Sequence, residues 1–447
     1  MNLGNDVEDR ISQAKNTVHK IFKLLKEHHQ FISSAIPLIA SENVTSISVR
    51  EALITDFQHR YAEGWPGERL YAGCKYIDEV ELLAIQLAKK VYDAEFADVR
   101  PISGVVANLV AYSAFAEPGD VMIALTIPHG GHISWGKKKW GGTAGVVRGL
   151  RVERYEFNEE EYEIDVDGTR KRLEEKGIVP KLFILGGSVI LFPQPVKEIA
   201  SLAKHYNAYV IYDAAHVAGL IAGGIFQDPL REGADIVTMS THKTLAGPQH
   251  GMILSKNEYS ELIKKVTFPG LVSNHHLHAV AALAVALAEA LAYYQEYSKQ
   301  IVRNAKALAQ ALYENGLDVL YEHKGFTETH QVVADVRKYG NGKIVEEKLE
   351  RVGILINRNL IPRDYKEKTD YRVPSGIRIG VQEVTRLGMK EDEMKYIAEL
   401  IMKTLKGRDS EKIRGEVEEF RANYQRVHYC FDSLKEAYKY ISLINVT

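Results

Sequence analysis

Lys243 stands in "STHKTLAGPQHG", Ser240 to Gly251, behind the apolar run Ile236, Val237 and Met239 and ahead of a turn at Gly247 and Pro248. Small polar residues surround it, poor company for a solvated amine and better company for one held at a strand end. Asp213 closes the run "YVIYD" thirty residues earlier. Two parallel strands with one helix between them bring both residues to the same sheet edge, so acid and amine share a crevice. Two chemistries fit. One is a structural ion pair, which these two residues taken alone favour; the other is a Schiff-base lysine whose acid partner protonates the pyridine nitrogen of pyridoxal phosphate.

Three further stretches bear on that choice. A cofactor phosphate needs backbone N–H groups at a helix start, and "ISGVVANLVAYSAF" sets Ser103 and Gly104 just ahead of Val106, Leu109, Val110 and Ser113 at helical spacing. An ordinary helix cap uses the same residues. A cofactor ring needs a flat partner, and "PHGGH" puts His129 and His132 in a glycine loop beyond the strand-like "VMIALTI". Two histidines three apart also suit a metal, although no third ligand lies nearby in sequence. A substrate carboxylate needs a forked donor, and "PSGIRIG" sets Arg378 between Ile377 and Ile379, on the face opposite to theirs.

The elements that must position these groups follow from periodicity. Apolar runs at Val121, Lys181, Ala208, Asp235 and Gly251 alternate with helical patterns, which predicts a largely parallel sheet with helices on both faces. Ile11, Ala14, Val18, Phe22 and Leu25 predict an amphipathic arm helix over the first 33 or so residues, packing on a partner or a neighbouring domain. A helical stretch from His278 to Gly316 leads into "HQVVADV", "GILIN" and "GIRIGV", a smaller α+β unit. The expected division is an arm over 1–55, a large domain over 56–290 and a small domain over 291–447.

At 447 residues the chain has room for roughly two or three domains. An apolar share of 45%, a charged share of 26% and a formal net charge of −2 argue against disorder and against a basic nucleic-acid-binding face. The two cysteines, Cys74 and Cys430, make no disulfide framework. With a polar N-terminus and no uninterrupted apolar run approaching the ~18–20 residues of a membrane span, the expectation is a cytoplasmic protein acting on small molecules.

The order "LIASEN" at Leu38, "RYAEGWPGERLYAGCKYIDEVE" at Arg60, "SGVVAN" at Ser103, "HGGH" at His129, "DAAHVAGL" at Asp213, "STHKTLAGP" at Ser240 and "SGIRIG" at Ser375 resembles serine hydroxymethyltransferase over nearly the whole chain. "GVVAN", "GPQ" and "FPGLVSNHHLH" point to the archaeal branch of that family. The resemblance implies a fold-type I pyridoxal phosphate enzyme with a mostly parallel seven-stranded sheet, working as a homodimer with shared active sites. It implies that Lys243 holds the cofactor covalently, Asp213 pairs with the pyridine nitrogen and His132 stacks on the ring. Ser188 and His216 would lie at the phenolic oxygen and His242 beside the cofactor, while Ser103, Gly104 and the Val105 backbone would take the phosphate. Tyr61, Glu63 and Tyr71 would arrive from the neighbouring subunit, and Tyr61 and Asn274 would contact the cofactor. Ser41 and Arg378 would bind serine or glycine, with Tyr61, Glu63 and Tyr71 beside them. Glu63, Leu70, Ile133 and Asn359 would meet the tetrahydropterin, Glu63 trading protons there; a Glu63–Arg69 ion pair is the structural alternative.

The chain departs from the family pattern in places. Gln249 and His250 stand where many members have arginine and glycine, Ser273 and Asn274 replace glycines, and Val105 replaces a phosphate-loop serine. Leu70 stands where folate-using members usually carry an aromatic that stacks on the carrier, and Arg358 where lysine is common. Tetrahydromethanopterin is therefore expected ahead of tetrahydrofolate. On the same fold a threonine or 3-hydroxy-amino-acid aldolase, or a glycine acyltransferase, would use the same Lys243 and Asp213, without explaining "YAEGWPGERLY". A metal-dependent hydrolase using His129, His132 and the histidines of "SNHHLH" is the alternative from another class, and a non-catalytic scaffold a third.

Overall fold

Runs of apolar residues that end in a small or polar side chain become adjacent strands. In the computed structural model, which describes residues 3–438, seven of them form one sheet: β1 (Phe96–Asp98), β2 (Val121–Ala124), β3 (Arg151–Arg154), β4 (Leu182–Gly186), β5 (Tyr209–Asp213), β6 (Ile236–Ser240) and β7 (Gly251–Ser255). Their spatial order is β1-β7-β6-β5-β4-β2-β3, and β7 alone runs antiparallel to its neighbours. Strands β2, β4, β6 and β7 are buried along their whole length, as a sheet covered on both faces requires. The periodicity missed β1, which is only three residues long, and β3, an edge strand of charged and half-exposed residues.

Register then sets the chemistry. Gly186 of β4 lies opposite Asp213 of β5, and Asp213 opposite Thr238 of β6, so the carboxyl ends of the three central strands finish together. Helix α1 (Leu3–Ser34) precedes α2 (Ile47–Leu53) and α3 (Lys75–Tyr92), and α4 (Gly104–Phe115) crosses the sheet with Ser103 as its N-cap. Along α1, Ile11, Val18 and Leu25 are exposed, so most of the arm's apolar stripe finds no cover among the described residues.

A second sheet orders its strands β8-β9-β11-β10, all antiparallel: β8 (Asp318–Val319), β9 (Gln331–Asp335), β10 (Asn357–Asn359) and β11 (Gly376–Gly380). Of the run "GILIN", Ile354 and Leu355 pair instead with Ile36 and Pro37 just beyond the arm, in parallel.

Helix α5 (Leu277–Glu314) runs past both sheets as one piece. It is long and apolar enough by composition to cross a bilayer, but here Leu283, Leu287, Ile301 and Leu308 are fully buried in the fold. Its Glu289 meets Arg386 at 2.8 Å with both side chains inaccessible, and Arg386 also donates to the Tyr429 carbonyl at 2.8 Å. Truncating one member of such a pair strands the other as an uncompensated buried charge. Glu289→Ala is therefore expected to cost about 3–5 kcal/mol, read as a lower urea midpoint at unchanged m-value.

Candidate active site

Asp213 ends β5 with both carboxylate oxygens occupied. Oδ2 accepts from Asn108 Nδ2 at 2.8 Å, and Oδ1 from the Ala215 amide at 3.0 Å. Asn108 sits one turn into α4, where its Nδ2 also reaches Ser134 Oγ at 3.1 Å and its Oδ1 accepts from Thr238 Oγ1 at 2.5 Å. Ser134 Oγ in turn lies 2.8 Å from His132 Nδ1. Helix α4, strand β6 and the "HGGH" loop thus converge on one acid, which is held in a single orientation.

Lys243 leaves the end of β6 through a tight bend, with its carbonyl accepting from Asn43 Nδ2 at 2.6 Å and its amine donating to Ser240 Oγ. Burial lowers the amine to about 8, with the nearby Asp213 charge opposing and the Arg378 charge reinforcing the fall. The same three charges act on one another and on His132, whose ring is lowered first by burial, so Asp213, Lys243, His132 and Arg378 share one crevice. That is the meeting at the sheet edge that the spacing predicts.

Arg378 reaches the crevice from the second sheet. Ile377 and Ile379 are fully buried on one face of β11, and Arg378 points from the other at 8% exposure. Its Nη1 donates to the Ser188 carbonyl at 2.6 Å, its Nε to Asn357 Oδ1 at 3.1 Å, and His216 Nε2 lies 3.4 Å away. No carboxylate among the described residues lies within ion-pair distance, and burial lowers the guanidinium to about 10. A forked cation buried with only neutral acceptors has the chemistry to accept a carboxylate. His216 is fixed by Gln331 Nε2 at 2.9 Å and stacks against His330, and burial, then the Arg378 and Lys243 charges, push its pKa well below the usual value. His330 Nε2 lies 3.2 Å from the carbonyl of Ala40, which brings the adjoining Ser41 to the same side.

At the start of α4 the Ser103 hydroxyl accepts from the Val106 amide at 3.2 Å, so it is spent as a cap and the Gly104 and Val105 amides are left to the first turn. His242, lowered by burial to about 4, keeps a buried Nδ1 without a partner.

The residues expected from a neighbouring subunit form a separate, outward-facing group. Tyr61 and Tyr71 are each 47% exposed with ring centroids 4.8 Å apart, and Glu63 hydrogen-bonds Tyr71. No hydrogen bond or charge interaction links them to Lys243 or Asp213 among the described residues. Asn274 joins this group, accepting from the Ala62 amide at 2.9 Å and donating to the Arg60 carbonyl at 3.2 Å. The Glu63–Arg69 pair does not form, because Arg69 binds Asp78 at 2.7 Å and Glu81 at 2.6 Å. Leu70 and Ile133 are exposed. Asn359 shares a face of β10 with Asn357, while Arg358, on the other face, pairs with Glu346 at 3.1 Å. His129 diverges from His132, stacking on Phe157 at 4.5 Å and facing Glu159 at 3.5 Å.

The model of the family described as serine hydroxymethyltransferase matches residues 14–401. The chain belongs to the serine hydroxymethyltransferase family. It is 55% identical over 436 residues to the serine hydroxymethyltransferase of Nitrosopumilus maritimus, covering 97% of this chain and 99% of that one. It is 55% identical over 417 residues to that of Methanopyrus kandleri (93% and 96%), and 52% over 424 residues to that of Archaeoglobus fulgidus (95% of each). Serine hydroxymethyltransferases are fold-type I enzymes, typically dimeric, that depend on pyridoxal phosphate and interconvert serine and glycine with a tetrahydropterin cosubstrate, and the chain carries that activity.

The residues present fit the family's cofactor. The amine of Lys243 is already shifted toward its neutral form, His242 Nδ1 is a buried orphan, and a Cβ at Gly104 would meet Ser240 Oγ at 3.0 Å, so the helix start must stay bare there. Asn108, Ser134, Thr238, Ser240, Asn357 and Gln331 went unmarked in the sequence reading. Asn108 had a signal, since it lies within the phosphate-loop motif on the inward face of α4. Gln331 and Asn357 had none, because they come from a different sheet. An amine lowered to about 8 rather than 10.5 should make cofactor uptake by the cofactor-free protein rise about tenfold per pH unit below about 8 and level off above, followed by visible absorbance. Asn108→Leu should weaken cofactor affinity by about tenfold or more, measured by titration.

Proposed function

We propose that the crevice between the two sheets is the serine-cleaving site, and that two subunits complete it together. Bound pyridoxal phosphate supplies an electron sink for the pair left at the amino-acid α-carbon when the hydroxymethyl carbon departs. Lys243 holds the cofactor through its amine, and Asp213 holds a proton at the ring nitrogen. Removing that charge would take several kcal/mol of electrostatic support from the reacting centre. His132 would pack on the cofactor ring, His216, Ser188 and His242 would lie at its polar edge, and the amides of Gly104 and Val105 after Ser103 would hold the phosphate. Arg378, with Ser41, would hold the serine carboxylate and so orient the α-carbon for bond cleavage. The observation that carries this reading is the buried Arg378, which has no carboxylate partner among the described residues.

Tyr61, Glu63, Tyr71 and Asn274 serve the neighbouring subunit's crevice. The exposure of Tyr61 and Tyr71, beside the exposed Tyr76, Leu82 and Leu83 on α3, supports a partner at this face. Glu63 moves the proton between the serine hydroxyl and the carrier, flanked by Leu70, Ile133 and Asn359. Leu70 is 71% exposed and offers no aromatic face, which favours tetrahydromethanopterin over tetrahydrofolate as the carrier. The working compartment is the cytoplasm.

Steady-state serine cleavage with each pterin tests the reading. Tetrahydromethanopterin is expected to exceed tetrahydrofolate in kcat/KM, and Leu70→Phe to raise the tetrahydrofolate value about three- to tenfold, the worth of one aromatic contact. Cleavage indifferent to any pterin would point to an aldolase. Arg378→Lys keeps the charge and loses the fork, so kcat/KM for serine should fall by about 100-fold or more.

A further inference from the structure

The segment carrying Tyr61, Glu63 and Leu70 has no helix or strand to hold it. Charge holds it from beneath. The Ala62 carbonyl accepts from Arg69 Nη1 at 2.7 Å, and the Gly64 carbonyl accepts from both Arg69 Nη1, at 2.5 Å, and Arg100 Nη2. Gly64 itself sits at φ +94°, and a Cβ there would run into the Glu68 carbonyl. Trp65, one residue on, lies with its ring 3.8 Å from the Arg100 guanidinium.

Both arginines end on one carboxylate. Glu81 of α3 receives Arg69 Nη2 at 2.6 Å, Arg100 Nε at 3.0 Å and His275 Nε2 at 3.0 Å, with the Glu81, Arg100 and His275 side chains at 1%, 1% and 0% exposure. Burial alone would raise the Glu81 carboxyl, yet the His275 hydrogen bond and the charges of His275, Arg100 and Arg69 bring it to about 2. The three buried members come from three separate elements: α3, the turn after β1, and the approach to α5. Among the described residues no hydrogen bond or ion pair links them to Lys243, Asp213 or Arg378, and the proposed function uses none of them.

A buried carboxylate shared by cations on rigid elements is costly to assemble and stiff once complete. Here its free end is the backbone on either side of Glu63. We propose that Glu81, Arg100 and His275 are positioning residues that set where Glu63 stands, and that they therefore act on turnover in the neighbouring subunit's active site, not in their own. The inference rests on the reading that Glu63 works across the dimer.

Mixed dimers with one live site separate the two. When Lys243→Ala and Glu81→Gln share a chain paired with an otherwise unaltered one, the live site draws its Glu63 from the Glu81→Gln chain. Its kcat is expected to fall about tenfold or more, with KM for serine changed less than about twofold. When Lys243→Ala and Glu81→Gln lie on opposite chains, the live site draws Glu63 from a chain with Glu81 intact, and kcat should match the Lys243→Ala/wild-type dimer. Equal loss in both arrangements, or loss only in the second, overturns the proposal. Glu63→Gln carried through the same arrangements tests the underlying reading, which fails if its loss appears in the second.

If Glu81→Gln does not fold, Arg100→Lys takes its place in the same scheme, keeping the charge beside Glu81 while giving up the fork that also holds Gly64. In the cofactor-free Arg100→Lys protein, amide hydrogen exchange over residues 62–70 should quicken about tenfold or more with α5 unchanged. Unchanged exchange over 62–70 overturns the proposal.

Discussion

Withdrawing the Lys243 amine and the Arg378 guanidinium from water, with no carboxylate among the described residues bonded to either, is the constraint on which the site depends. Burial lowers the first to about 8 and the second to about 10. Each would thereby suit a partner from outside the chain: an aldehyde for the amine, a carboxylate for the fork, as the proposed function has it. A satisfied ion pair would stabilise the fold better and leave the crevice with nothing to offer a ligand. Asp213 escapes becoming that partner because Asn108 and the Ala215 amide already occupy its oxygens and fix its direction.

The rest of the large sheet can be read as support for that arrangement. Parallel strands buried on both faces finish together, so Asp213 and the bend after Ser240 stand side by side without a long loop to bring them there. The second sheet contributes a single register: Asn357 opposite Arg378, which puts the fork and its Oδ1 acceptor on one face and leaves Arg358 on the other. Helix α5 ties the halves together through the Glu289–Arg386 pair, at a depth where neither charge meets water.

The outward group around Glu63 obeys a different rule. Its aromatic rings are half exposed and its backbone is irregular, yet the carbonyls that shape it are held by Arg69 and Arg100, which both end on the buried Glu81 carboxylate. Exposure makes the group available to a partner; the buried charge keeps it from wandering. A loop ordered before association loses less entropy on meeting a partner.

The alternation of apolar runs, the arm helix and the meeting of Asp213 and Lys243 at one sheet edge were legible in the residues because each depends on local periodicity and on one short crossover. Arg378 was legible too, since two isoleucines must share the face opposite to it. The three-residue β1 and the charged edge strand β3 were not, because neither has a long enough apolar signature. By itself the sequence determined which residue types meet at the strand ends, since strand direction and alternation are local properties of the chain. Only the tertiary structure decided that Asn108 would orient Asp213, that His129 would turn to Phe157 while His132 faced the acid, that Arg69 would forsake Glu63 for Glu81, and that Gln331 would hold His216. Those choices are made by side chains from distant elements competing for the same buried donors and acceptors, and no spacing along the chain encodes which one wins.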